Sequence, residues 1–86
     1  MDETVYKNFS TKFWNMLKNV VNGQINCTPN IEKDTLYIKI SRLGIEYETS
    51  VKEMSKCIND ISLIEKEFDK VVKRYRSWVL HKYFYD

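Results

Sequence analysis

The side chains able to do chemistry are few. His81 is the only histidine, and Cys27 and Cys57 are the only cysteines. Nucleophilic catalysis needs a thiol beside a base. Cys57 and His81 fall 24 residues apart in one helical pattern, which places them about 36 Å from each other. Cys27 reaches His81 only if the tertiary fold happens to bring them together. Glu46 and Glu48 alternate on one face of a strand, about 7 Å apart, a spacing at which two carboxylates share acid and base roles. Lys39 is the expected partner that neutralises them. A structural zinc site wants four Cys or His ligands, and the chain has three, widely separated. Gly23 and Gly44 are the only glycines, so no phosphate loop or dinucleotide fingerprint exists. The expectation is a protein that is not an enzyme, with no cofactor, no metal and no small-molecule substrate.

Surface chemistry is the remaining source of function. Lys70 to Tyr85 contains five basic residues and no acidic one. Lys66, Lys70, Lys73, Arg74, Arg76 and Lys82 form a basic ridge that can follow a phosphate backbone. A helix C-terminus also favours cations through its dipole, which accounts for the ridge without nucleic acid. Trp78, Leu80, Tyr83, Phe84 and Tyr85 crowd the end of the chain. Trp14 lies on the flank of the first helix, beside Lys7, Thr11 and Lys18. Tryptophan is a frequent anchor of protein interfaces.

These residues must be positioned by one domain, because 86 residues bury too little surface for two. Aromatics supply much of the core: four Phe, six Tyr and two Trp. The chain has no Ala and is rich in Ile, Lys, Asn and Tyr, the composition of an AT-rich genome. The acidic start, Met1 to Thr4, does not read as a secretion signal, and no stretch reads as apolar enough to span a membrane. A cytoplasmic protein with reduced, inert thiols is expected.

A helix is expected from Thr4 to Asn22, with Val5, Tyr6, Phe9, Phe13, Met16, Leu17 and Val20 on one face. Asp2 and Glu3 suit its N-terminal dipole, and Gly23 stops it. Gln24–Thr28 alternates as a short strand ended by Pro29. Residues 30–34 form a polar connection. Thr35–Ser50 reads as a hairpin turning at Leu43-Gly44. Its even register sets Ile40 opposite Tyr47 and Lys39 opposite Glu48.

From Ser50 to Tyr85 there is no Gly or Pro. Ser50 and Glu53 have capping-box spacing, which marks a helix start. Cys57, Ile61, Ile64, Phe68, Val71, Tyr75 and Trp78 then recur at steps of four and three, one stripe of a helix. The favoured reading is one continuous rod over 51–84, about 50 Å long if it runs the whole stretch. A break with a second start at Asn59-Asp60 is the other. A continuous rod overhangs so small a body and leaves its aromatic tip uncovered.

The expected fold is therefore α+β, in the order α-β-β-β-α. A three-stranded antiparallel sheet carries the N-terminal helix and a long C-terminal helix on one face, the latter kinked near residues 59–62 if it breaks. No family is recognised from the residues. The element order is similar to that of double-stranded-RNA-binding domains and of the Alu-binding proteins of the signal recognition particle. Where those RNA-binding domains carry a lysine cluster, Ser50–Lys56 has two lysines, an intervening glutamate and no flanking alanines. No site is carried over from them.

The functional expectation is a non-enzymatic protein-binding module. It fits a small regulator or inhibitor from a mobile element that occludes a larger partner. Trp14, Trp78, Leu80, Tyr83, Phe84 and Tyr85 are its anchors, facing a protein partner or a second copy. The competing expectation is an RNA- or DNA-binding module that uses the basic helix.

Overall fold

A computed structural model describes residues 3–85. Helix α1 spans Glu3–Lys18. Tyr6, Phe9, Phe13 and Leu17 are buried along one stripe, as the spacing predicts. Glu3 pairs with Lys7 at 3.3 Å, one turn on. The expected helix to Asn22 is too long by a turn. The backbone N–H groups of Val20 and Val21 both bond to the Leu17 carbonyl, closing the helix early. That turn exposes Val20, which was expected inside, and buries Val21 instead. Asp2, expected to favour the helix dipole, lies outside the described residues.

Strands β1 (Gln24–Asn30), β2 (Thr35–Arg42) and β3 (Ile45–Lys52) form an antiparallel sheet in that order. β2 is central, and Leu36, Ile38 and Ile40 on its inner face are almost fully buried. Ile40 pairs with Tyr47 and Lys39 with Glu48, the register expected from the hairpin. Leu43 and Gly44 both take positive φ, 52° and 79°, making a two-residue turn that matches the twist of the flanking strands. β1 runs two residues further than Thr28 and includes Pro29, which an edge strand tolerates.

The capping-box reading of Ser50 and Glu53 fails. Ser50 is still in β3, paired with Tyr37, and the strand continues to Lys52. Glu53 then turns the chain with φ 55° and makes no side-chain cap. Helix α2 spans only Met54–Ile58, and α3 spans Ile61–Leu80. The continuous rod is therefore broken. Asp60 caps the second start by accepting from the N–H groups of Ser62 and Leu63, at 3.0 and 3.3 Å. The break also ends the single stripe: Ile61, expected inside, is 68% exposed, while Cys57, Ile64, Val71 and Tyr75 are buried. A π-helical turn, His81–Tyr85, follows α3.

The core is one cluster between the sheet and the helices. Its rings meet in two groups. Phe13 lies 5.9 Å from Phe9 and 5.8 Å from Phe68. Tyr47 lies 5.9 Å from Tyr75 and 5.3 Å from Trp78. Such tilted and edge contacts suit the ring quadrupoles.

Candidate functional site

The end of α3 meets the hairpin turn and the α1–β1 connection at one end of the molecule. The Tyr75 hydroxyl donates to the Asn22 carbonyl at 3.3 Å. Gly23, with φ 141°, lies so close to the hairpin that a Cβ there would sit 2.6 Å from the Ser41 carbonyl oxygen. The Tyr83 hydroxyl donates to the Arg42 carbonyl at 3.1 Å, and the Arg42 guanidinium lies 5.9 Å from the Tyr83 ring centre. The longest dimension of the molecule is 42 Å, shorter than the continuous rod would have been. So the tip does not project as a free rod, as the unbroken reading required. It is tied down by Tyr83.

Tying down the tip covers only part of it. Trp78 is half-buried and stacks near Tyr75, with 6.0 Å between ring centres. Tyr83 is half-buried. Leu80 is 50% exposed and Phe84 71% exposed. Leu43, at the tip of the adjoining turn, is 79% exposed. Of the expected anchors, Trp78, Leu80, Tyr83 and Phe84 thus lie at this end of α3, and Leu43 follows Arg42, which Tyr83 holds. Sequence reasoning missed Leu43 because a hydrophobic side chain at the tip of a tight turn breaks the polar rule for turns. The Tyr85 side chain lies outside the described residues.

Trp14 is elsewhere. Its indole Nε1 donates to the Ile25 carbonyl at 2.8 Å, and the Lys18 ammonium sits 4.9 Å from the ring centre. Ser10, one turn earlier, donates to the Cys27 carbonyl at 3.1 Å. The match is geometric. Four residues advance a helix by about 6 Å and two residues advance a strand by about 7 Å. Ser10 and Trp14 therefore close the outer edge of β1. The Trp14 ring is half-buried against that edge.

The basic residues Lys66, Lys70, Lys73, Arg74, Arg76 and Lys82 are all exposed. They are not a bare ridge. Lys70 pairs with Glu67 at 3.4 Å, and Arg74 donates to the Thr49 hydroxyl at 3.3 Å. Glu65 and Asp69 are exposed among them.

The outer face of the sheet holds a shallow depression of about 420 Å³, lined by residues that include Asn26, Thr28, Tyr37, Lys39 and Glu48. Its charges are internally matched, because Lys39 sits 3.8 Å from Glu46 and 3.5 Å from Glu48. Cys27 is half-buried, and burial pushes its thiol up to about 11. Cys57 is buried, and burial first, then nearby carboxylates, raise its thiol too. Both shifts disfavour the thiolate that a nucleophile or metal ligand needs. Among the described residues, no group of three or more His, Cys, Asp or Glu side chains could hold a metal ion. Among them also, no helix is long and apolar enough to cross a membrane.

A second cluster, missed in the sequence, is built around Asp34. The sequence alone places it in the polar connection of residues 30–34. Asp34 takes φ 50° at the end of the β1–β2 turn. Its carboxylate accepts from the Tyr6 hydroxyl, from the Ser55 N–H and from the Ser55 hydroxyl. Its backbone carbonyl accepts from the Met54 N–H at 2.9 Å. A residue 20 positions away in sequence thus caps α2, which has no side-chain cap of its own. The Asp34 carboxyl is held below its usual 3.8, chiefly by the Ser55 hydroxyl, against the opposing effect of burial. The cluster is structural: its side chains bond to one another, and among the described residues no buried side-chain nitrogen or oxygen lacks a hydrogen-bond partner.

Comparison with known proteins adds no relative: no family model, no curated protein and no solved structure matches this chain.

Proposed function

We propose that this protein is a non-enzymatic protein-binding module whose contact surface is the end built by Leu43, Leu80 and Phe84. One observation supports the reading above others. Three large apolar side chains stay 50–79% exposed where three elements converge, although the neighbouring Trp78 and Tyr83 are held in place. Exposed apolar groups on a fixed frame suit recognition, because little side-chain or backbone ordering is lost on binding. Arg42, next to Leu43, and Lys82, between Leu80 and Phe84 in sequence, supply a charged rim for steering. A small regulator or inhibitor that occupies a surface of a larger partner is the form of activity this size favours.

The test is affinity capture from the native cell with three baits: the wild type, Leu80→Ser with Phe84→Ser, and Lys66→Glu with Lys73→Glu. A specific partner that is lost with the apolar pair and kept with the charge pair supports the reading, provided thermal melts of all three baits agree. A partner kept by the Leu80 and Phe84 variant overturns it. So does capture of nucleic acid that the charge reversals abolish.

A further inference from the structure

The two edges of the sheet are treated differently. The Ile25 and Cys27 carbonyls point away from β2, since Trp14 and Ser10 bond to them. In an antiparallel strand a residue's N–H and C=O point to the same side, and the sides alternate. Pro29 shares that parity, so its missing N–H also falls on the outer edge of β1. That edge is closed by α1 and by proline.

The same alternation carries across the sheet. Ile25 and Cys27 pair with Ile40 and Ile38, whose backbone groups therefore face β3 and bond to Tyr47 and Thr49. Glu46, Glu48, Ser50 and Lys52 are left with N–H and C=O groups pointing outward. No helix or loop hydrogen bond reaches these groups among the described residues. β3 pairs with β2 without interruption from Ile45 to Lys52, so no bulge twists this edge away. It contains no proline. An edge of this kind is a template for another strand.

We propose that β3 pairs with β3 of a second copy of this chain, antiparallel about a two-fold axis at Thr49, to give a six-stranded sheet. The strand's own residues select the partner and the register. Centred on Thr49, the outward groups of Glu46, Glu48, Ser50 and Lys52 meet Lys52, Ser50, Glu48 and Glu46 of the second copy. About eight backbone hydrogen bonds form. Glu46 lies opposite Lys52, Tyr47 opposite Val51, and Thr49 opposite Thr49. Opposite charges, an aromatic against a β-branched residue, and a threonine pair are the cross-strand pairs that stabilise sheets. Shifted registers fit less well. Centring on Glu48 sets that carboxylate against its twin. Centring on Tyr47 sets Glu46 against Glu48. Centring on Ser50 keeps an opposite-charge pair, Glu48 against Lys52, but it sets Tyr47 against Glu53, which has already left the strand at φ 55°, and it loses one of the four hydrogen-bonded pairs.

Arg74 bonds Thr49 from the helix side, so the axis also draws two guanidinium groups together. This repulsion opposes the pairing and is strongest at low salt. The surface is separate from the Leu43, Leu80 and Phe84 end, and the two are tested separately.

Sedimentation equilibrium from about 1 µM to about 1 mM reads the association directly. The wild type should pass from monomer to dimer across that range. Glu46→Lys sets two lysines against each other on both sides of the axis and should weaken the dimer about tenfold. Adding Lys52→Glu should restore it. Glu46 and Lys52 lie six residues apart on one strand, about 20 Å, so rescue cannot arise within a protomer. Ser50→Pro removes an outward N–H without touching a bond to β2 and should abolish the dimer. If that variant melts early, the charge swap decides. Leu80→Ser with Phe84→Ser should leave the dimer intact. A monomer throughout, a dimer indifferent to Glu46→Lys, failure of Lys52→Glu to rescue it, or a dimer lost with Leu80 and Phe84 overturns the proposal.

Discussion

The Tyr6 hydroxyl donates to the Asp34 carboxylate at 2.9 Å, joining residues 28 apart in sequence. The bond links the first turns of α1 to the β1–β2 turn, and through Ser55 to the start of α2. Three elements that share no local sequence signal are thereby fixed to one another.

Replacing Asp34 tests that linkage. Asp34→Asn keeps a side chain that tolerates the left-handed backbone but turns one acceptor into a donor. It should cost about 1 kcal/mol, or about 5 °C in Tm. Asp34→Ala adds backbone strain and should cost about 2 kcal/mol. Thermal melts followed by circular dichroism give both values.

The pH dependence of this cluster has two limits. The folded Asp34 carboxyl is depressed below 3.8, first by the Ser55 hydroxyl. Its contribution is full above that ordinary value and is lost as pH falls through the depressed folded one. The Tyr6 hydroxyl is raised above 10.0, first by its bond to Asp34, then by burial and the carboxylate charge. Its contribution is full below 10.0 and is lost as pH rises through the raised value. Urea midpoints should be flat near neutrality and fall at both extremes. Tyr6→Phe should lower the plateau and flatten the alkaline fall. An unchanged alkaline limb would reject the assignment.

Closure of the β1 edge gives a third prediction. Trp14→Phe keeps most of the ring but leaves the half-buried Ile25 carbonyl without its donor. A loss of about 1 kcal/mol is expected, and Ser10→Ala should cost a similar amount at Cys27. The exchange rates of β1 amides should rise more than those of β2, as hydrogen-exchange NMR would register.

Local signals explain which parts of the fold were legible. The alternation of Leu36, Ile38 and Ile40 with Tyr37 and Lys39 fixed the faces of the central strand, and side-chain matching fixed Ile40 opposite Tyr47. The helical rod misled because buried residues flank the break at helical spacing: Cys57 and Ile64 are both buried although Asn59 and Asp60 interrupt the helix between them, and only the exposed Ile61 departs from the stripe there. Ser50 and Glu53 looked like a helix start only until β2 offered Ser50 a pairing partner. Asp34 was illegible for a different reason. Its partners, Tyr6 and Ser55, lie 28 and 21 residues away, and no spacing rule reaches them. At the candidate site, Trp78, Leu80, Tyr83 and Phe84 were visible as a cluster. The bond that ties Tyr83 to Arg42 was not, because it spans 41 residues.

The two glycines should differ sharply on substitution. Gly23→Ala forces a Cβ to within 2.6 Å of the Ser41 carbonyl oxygen at a φ of 141°. Backbone on both sides cannot yield cheaply, so a loss of about 3 kcal/mol is expected. Gly44→Ala meets nothing within 4 Å and bears only the strain of φ 79°. About 1 kcal/mol is expected there. Urea unfolding of the pair separates the steric cost from the conformational one.

Leu43 holds a left-handed backbone, φ 52°, with a side chain 79% exposed. A leucine gains nothing from burial there and bears the Cβ–carbonyl strain that asparagine tolerates best. Asn-Gly is the preferred pair for this two-residue turn. Leu43→Asn should therefore stabilise the fold by about 1 kcal/mol and raise Tm by about 5 °C. It also removes an apolar group from the proposed contact surface. Stability and partner binding should consequently move in opposite directions, as happens when a residue is kept for recognition at the expense of the fold. A melt and a partner titration on the same preparation test both. If Leu43→Asn raised Tm and left partner binding untouched, Leu43 would have no place in the contact surface.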